Sequence, residues 1–180
     1  MELCEASIEQ IFLDDDDDKK YKGPILSLED IIMQLALGLD YIHDKKMIHR
    51  DLKPENALIW TNSRQGDGAS QVLIKWSDFG LSKTVTESGT FLMSGLKGTL
   101  RWCAPEILEI IAASSRRNST TEWPRGTIQS DVFSEGLTFG FIILKGQHPY
   151  GNNIEVVHNL SKNNPVNLTQ SSMKNFFFFF

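Results

Sequence analysis

At 180 residues, with 41% apolar residues and a formal net charge of −5, the chain has the makings of one ordinary globular domain able to bury a sizeable core. Its 18 basic residues are scattered and outnumbered by 23 acidic ones, which excludes a dedicated nucleic-acid-binding surface. Cys4 and Cys103 lie far apart and make no CxxC pair, so they fit free thiols in a reducing compartment better than a disulfide framework or a zinc site.

Asp14 to Asp18, followed by Lys19 and Lys20, is a solvated charge run that reads as a loop or disordered surface insertion. The first helix follows. Ser27 can cap it with Asp30 closing a capping box, and Ile31, Ile32, Leu35, Leu39 and Ile42 recur at helical spacing, which predicts a helix from about Leu28 to Lys45. Two short apolar runs, Ala57–Trp60 and Val72–Trp76, flank a polar, glycine-containing stretch and read as a β-hairpin with a long loop. Ser82 to Arg101 is irregular and rich in Ser, Thr and Gly, and a second polar insertion covers roughly Ala113 to Gln129. Val132 to Leu144 is apolar on nearly every face and belongs in the middle of a core, stopped by Gly146 before a His148-Pro149 turn.

The most apolar run, Leu137 to Leu144, is too short to span a bilayer, and no basic-then-apolar leader opens the chain. A cytoplasmic location is therefore expected, with the sequons at Asn118 and Asn167 fortuitous. Residues 152–180 are expected to be an irregular tail. Its terminal Phe176 to Phe180 make no sense as exposed surface and read as translated poly-T.

A series of short motifs carries the chemistry. His49-Arg50-Asp51-Leu52-Lys53-Pro54-Glu55-Asn56 lies between the first helix and the hairpin, and Ser77-Asp78-Phe79-Gly80 follows the second strand. Gly98-Thr99 and Ala104-Pro105-Glu106 come next, then Asp131-Val132-Phe133-Ser134-Glu135-Gly136 and His148-Pro149-Tyr150-Gly151. In this order they resemble the catalytic loop, metal-binding element, activation segment and central helix of eukaryotic protein kinases, over about Glu2 to Gly151.

The resemblance implies a protein-kinase-like α+β fold: a mainly helical C-terminal lobe with a short β-hairpin, the partial kinase domain covering residues 1–151. It implies ATP and Mg²⁺ as the reaction's nucleotide and metal, and a protein substrate. Asp51 would accept the substrate hydroxyl proton, Lys53 would steady the phosphoryl group beside Thr99, and Asn56 and Asp78 would ligate the metal. Glu2 and Cys4 would form the hinge that holds adenine, with Leu58 beneath the purine and Lys53, Glu55, Asn56 and Asp78 along the phosphates. Arg50 would receive a phosphate placed on the activation segment, with Ser94 the first candidate and Thr90 another. Lys53 and Thr99 resemble the serine/threonine pattern rather than the tyrosine one.

The Glu2-Leu3-Cys4 hinge, the long hairpin loop, Ser77 before Asp78-Phe79-Gly80, and Trp102 before Ala104-Pro105-Glu106 resemble the endoplasmic-reticulum stress-sensor branch. In that branch a cytosolic kinase on a membrane-anchored protein precedes a ribonuclease domain, which implies a role in the unfolded protein response and a homodimer. No glycine-rich loop or paired lysine stands upstream of the hinge, and no arginine after Arg125 can pair with Glu106. As written, the polypeptide is therefore expected to bind ATP weakly and transfer little phosphate. The alternatives are a non-catalytic kinase-like binding or dimerisation module and a decaying gene product. Neither gives a reason to keep Asp51, Lys53, Asn56 and Asp78 together.

Overall fold

The computed structural model describes residues 3–62, 71–84, 90–92, 99–116 and 125–168. Among the described residues, four helices and seven short strands follow one another, in the order β1 (Ala6–Ser7), α1 (Leu28–Asp44), β2 (Met47–Ile48), β3 (Ala57–Asn62), β4 (Gln71–Trp76), β5 (Lys83–Thr84), β6 (Thr90–Leu92), α2 (Pro105–Arg116), β7 (Arg125–Thr127), α3 (Ile128–Ile143) and α4 (Val156–Ser161).

α1 begins where its capping chemistry places it. Ser27 Oγ accepts from the Asp30 backbone N–H at 3.1 Å and donates to Asp30 Oδ2 at 2.8 Å, so one of the helix's orphan donors is satisfied. Ile31, Ile32, Leu35, Leu39 and Ile42 form its buried stripe. That stripe packs on the hairpin of β3 and β4, whose register pairs Ala57 with Trp76 and Asn62 with Gln71. Two side-chain bonds fix helix against sheet. Gln34 Oε1 accepts from the Ile74 N–H at 2.8 Å, and the Trp76 indole donates to the Leu35 carbonyl at 3.0 Å. A side chain at Gly38 would stand 3.2 Å from Trp76 Cδ1, so glycine permits this close approach.

β1 adds a third strand, with Ser7 opposite Leu58. The segment after the expected hinge thus lies against β3. α3 crosses beneath both regions, and its Phe139 and Ile142 join the core of α1 and the hairpin. Leu137 packs in a second cluster with Trp102, Leu108, Tyr150, Val156 and Leu160.

Three expectations are corrected. α3 begins at Ile128, a turn before Val132, because Ser130 and Asp131 are buried by hydrogen bonds rather than by apolarity. The helix α2 occupies the start of the stretch expected to be a polar insertion, down to Arg116, with Ile107 and Leu108 buried. Residues 152–168 are not uniformly irregular, since α4 forms within them and its Val156 and Leu160 are fully buried. The aspartate run, Asp14 to Asp18, forms two turns, held by Gln10 Nε2 donating to the Lys19 carbonyl at 3.0 Å and the Tyr21 N–H donating to the Gln10 carbonyl at 2.9 Å. No helix among the described residues is long and apolar enough to cross a membrane.

Candidate active site

The loop between β2 and β3 is built on a buried carboxylate from below. Asp131, in the first turn of α3, accepts from the His49 N–H at 2.7 Å and the Arg50 N–H at 2.9 Å. His43 Nε2 lies 3.1 Å from the same carboxylate. With Asp131 only 2% exposed, these bonds are shielded from competing water. They hold Arg50 at φ 74, a left-handed conformation that a non-glycine residue adopts only when its surroundings impose it.

His49 ties this loop to the next motif. Its Nε2–H donates to the Ser77 carbonyl at 2.8 Å, and its Nδ1 faces the Asp51 N–H at 3.4 Å. Both contacts suit a neutral imidazole with the proton on Nε2. Burial lowers the His49 pKa against the opposing pull of Ser77 and three aspartates, which keeps that form in place. Ser77 is bound again from β3's side, its N–H and hydroxyl both donating to the Asn56 carbonyl at 2.9 Å.

Above this base, four side chains converge. Asp51 Oδ1 accepts from the Thr99 N–H and the Thr99 hydroxyl, each at 3.1 Å. Oδ2 accepts from Lys53 Nζ at 2.7 Å and Asn56 Nδ2 at 3.1 Å, and Lys53 also donates to Thr99 Oγ1 at 2.8 Å. Burial raises the Asp51 carboxyl, but the Lys53 ammonium and the Thr99 donors outweigh it and hold the group below the usual carboxylate range. Asp51 is therefore ionised and turned toward a hydroxyl.

Asn56 uses Nδ2 for its bonds to the Asp51 carbonyl and Oδ2, which leaves the harder donor, Oδ1, outside that network. Asp78 is exposed, at φ 61, with Oδ1 accepting from the Gly80 N–H at 3.3 Å. Two hard oxygen donors joined through Ser77 fit Mg²⁺, which takes one or two protein ligands and completes its shell with phosphate oxygens and water.

The remaining expected site residues fall around this centre. Leu58 is half-buried beside Ser7, Cys4 is half-buried, and Glu55 turns to Arg101, whose Nη2 donates to Glu55 Oε1 at 3.0 Å. Glu2 and Ser94 lie outside the described residues. Thr90 opens β6, and its side chain is not described. Sequence reasoning assigned no role to Asp131 or to the His49 ring. A charged residue at the head of an otherwise apolar helix was the available signal.

The amino-acid sequence matches known proteins. The protein kinase domain family matches residues 1–176, and the chain belongs to that family. The segment is similar to serine/threonine-protein kinase/endoribonucleases. It is 33% identical over 156 residues to the human serine/threonine-protein kinase/endoribonuclease IRE2, covering 86% of this chain and 15% of that protein. It is 34% identical over 158 residues to ire-1 of Caenorhabditis elegans, covering 86% and 14%, and 30% identical over 172 residues to ireA of Aspergillus fumigatus, covering 85% and 15%. The chain thus spans about one seventh of the length of these relatives.

Proposed function

We propose that this segment carries the catalytic-loop half of a serine/threonine protein kinase, which moves the γ-phosphate of ATP to a protein hydroxyl in a stress-signalling pathway like that of its relatives. The observation that carries the reading is the Asp51 carboxylate, which already accepts a hydroxyl, that of Thr99, within reach of the Lys53 ammonium.

A substrate hydroxyl donating to Asp51 would be oriented for in-line attack, and Asp51 would take its proton as the new P–O bond forms. With its pKa held low, Asp51 is a weak base. That suits a loose transition state in which the nucleophile needs alignment more than deprotonation. Lys53 stays beside the carboxylate and faces the charge that gathers on the transferring oxygens. Thr99 fixes the height of Asp51 through two bonds to Oδ1. Mg²⁺ held by Asn56 and Asp78 would supply charge neutralisation on the phosphates.

The experiment joins the whole chain behind the part of the human kinase relative that precedes the matched region and follows transfer of labelled γ-phosphate to serine and threonine peptides. Transfer is expected, and Asp51→Asn should lower it at least ~100-fold, the scale of a lost acid–base group. A folded, ATP-binding chimera that labels no hydroxyl, or one indifferent to Asp51→Asn, refutes the reading.

A further inference from the structure

α1 turns one apolar stripe into the core and a second one outward. On the side away from Ile31, Ile32, Leu35, Leu39 and Ile42, the residues Met33, Leu37 and Tyr41 are 59%, 60% and 63% exposed. They stand at i, i+4 and i+8, so they line one face of the helix over about 12 Å. Large apolar residues exposed singly are ordinary on a protein surface. Three in register on one helix make a contiguous patch, which marks an interaction face.

The charge on this face has one sign. Glu29, Asp30, Asp40 and Asp44 fall on the same outward side by helical spacing, and all four are exposed. Asp30 is engaged by its own cap, accepting from Ser27 Oγ at 2.8 Å. Among the described residues no ion pair involves Glu29, Asp40 or Asp44. At the end of the stripe, Lys45 lays its Nζ 5.0 Å from the centroid of the Tyr41 ring. The face therefore already draws an ammonium group onto its aromatic anchor.

These features select among occupants. A second copy of the face would set four carboxylates against the same four, and an anionic membrane surface would meet the same repulsion. A helix has no row of free backbone N–H and C=O groups, so an extended peptide cannot add to it as it adds to a sheet edge. A second helix can pack on it through side chains alone. Apolar residues spaced three and four apart would lie along Met33, Leu37 and Tyr41, while flanking Lys or Arg side chains reach Glu29, Asp40 and Asp44.

We infer that the outer face of α1 is a docking surface for a basic amphipathic helix of a partner protein. The inference goes beyond phosphate transfer and does not depend on it, since none of these residues takes part in the bonds around Asp51.

Fluorescence anisotropy tests it with the full chain and three labelled helical peptides of about five turns. One carries leucine along one face and lysine elsewhere. The second has the same composition with its leucines spread around the helix, and the third has glutamate for every lysine. The first should bind at least about tenfold more tightly than the second, the scale of one lost apolar anchor, and the third more weakly still. Leu37→Gln with Tyr41→Gln changes exposed positions and no charge. It should remove the advantage of the first peptide and leave the melting temperature within about 2 °C of the parent. Asp40→Asn with Asp44→Asn should also weaken binding and flatten its dependence on salt. Equal binding of the first two peptides would leave only charge attraction, to which Asp14 to Asp18 contribute, and overturns the inference. A preference for the first peptide that survives Leu37→Gln with Tyr41→Gln overturns it as well. So does a dimer in sedimentation, or binding to phosphatidylserine vesicles, that the same double variant abolishes, because the face would then belong to a second copy or to a membrane.

Discussion

Replacing Asp131 with alanine removes the acceptor of two backbone N–H groups, on His49 and Arg50, at 2.7 and 2.9 Å. His49 is fully buried, so its N–H would find no water in exchange. Hydrogen bonds to a charged acceptor contribute about 1.5–3 kcal/mol each. Together the pair should contribute roughly 3–5 kcal/mol, allowing for the partial exposure of Arg50. For a domain of this size that lowers the melting temperature by roughly 6–20 °C. The local signature is sharper. The His49 amide should exchange with deuterium about 100-fold faster, the equivalent of roughly 3 kcal/mol, while amides of the β3–β4 hairpin change only as global stability falls. Thermal melting and residue-resolved exchange on the variant would measure both. A melting temperature within about 2 °C of the parent, with unchanged His49 protection, would mean that Asp131 does not hold the loop.

Three further outcomes are expected. At Gly146, φ is 91 and a Cβ would stand 2.6 Å from Phe12 Cβ, so Gly146→Ala should cost about 2–4 kcal/mol in urea titration. His148, with a folded pKa of about 4 below its ordinary 6.5, stabilises the fold fully above pH 6.5. That contribution is lost as pH falls toward 4, by about 2–3 kcal/mol after allowance for partial exposure, and His148→Gln should flatten this arm of the stability curve. Glu135 behaves oppositely. Burial, then the charge of Asp131, raise its pKa from 4.5 to about 7, so its cost is absent below pH 4.5 and grows as pH rises to 7. Glu135→Gln should therefore gain about 2–3 kcal/mol at pH 8 and nothing at pH 4, and equal gains at both would refute the titration argument.

Some of this molecule was open to sequence reasoning because its signals are local. Ser27 and Asp30 sit three residues apart and an apolar stripe follows, so α1 could be placed to within a residue of its end. The hairpin was legible because both strands are short apolar runs set off by a polar stretch. Asp51, Lys53, Asn56, Asp78 and Thr99 stand out through the order of their motifs, and in the structure Lys53, Asn56 and Thr99 bond to the Asp51 carboxylate. The failures share a different cause. Polar residues that are buried by bonding partners distant in sequence look like loop. Ser130 and Asp131 concealed the first turn of α3 in that way, since Asp131's partners lie 81 and 82 residues away. α4 shows only Val156, Val157 and Leu160 among polar neighbours, too little periodicity to announce a helix that a second core cluster nevertheless buries.

The backbone conformations show what the buried bonds accomplish. Among the described residues five non-glycine residues have positive φ, and three of them, Lys46, Lys145 and Asn163, lie two residues past the ends of α1, α3 and α4, where left-handed residues commonly end helices. Arg50 and Asp78 follow no helix, and both flank the candidate site. Each such conformation costs about 1–2 kcal/mol, so something must hold it. For Arg50 the holder is Asp131, through the Arg50 N–H. For Asp78 it is the Gly80 N–H from within and, one residue earlier, His49 clasping the Ser77 carbonyl. His49 is itself held by Asp131, so both strained residues depend on one carboxylate at the head of α3. The Asp131→Ala variant would let Arg50 relax, returning about 1–2 kcal/mol of the loss in stability, while Asp51, the next residue, swings with it. Catalytic alignment should therefore suffer more than the melting temperature, and in the chimera the fall in transfer rate should exceed what the unfolded fraction explains. A rate that merely tracks the folded fraction would mean that the left-handed turn at Arg50 is incidental to the chemistry.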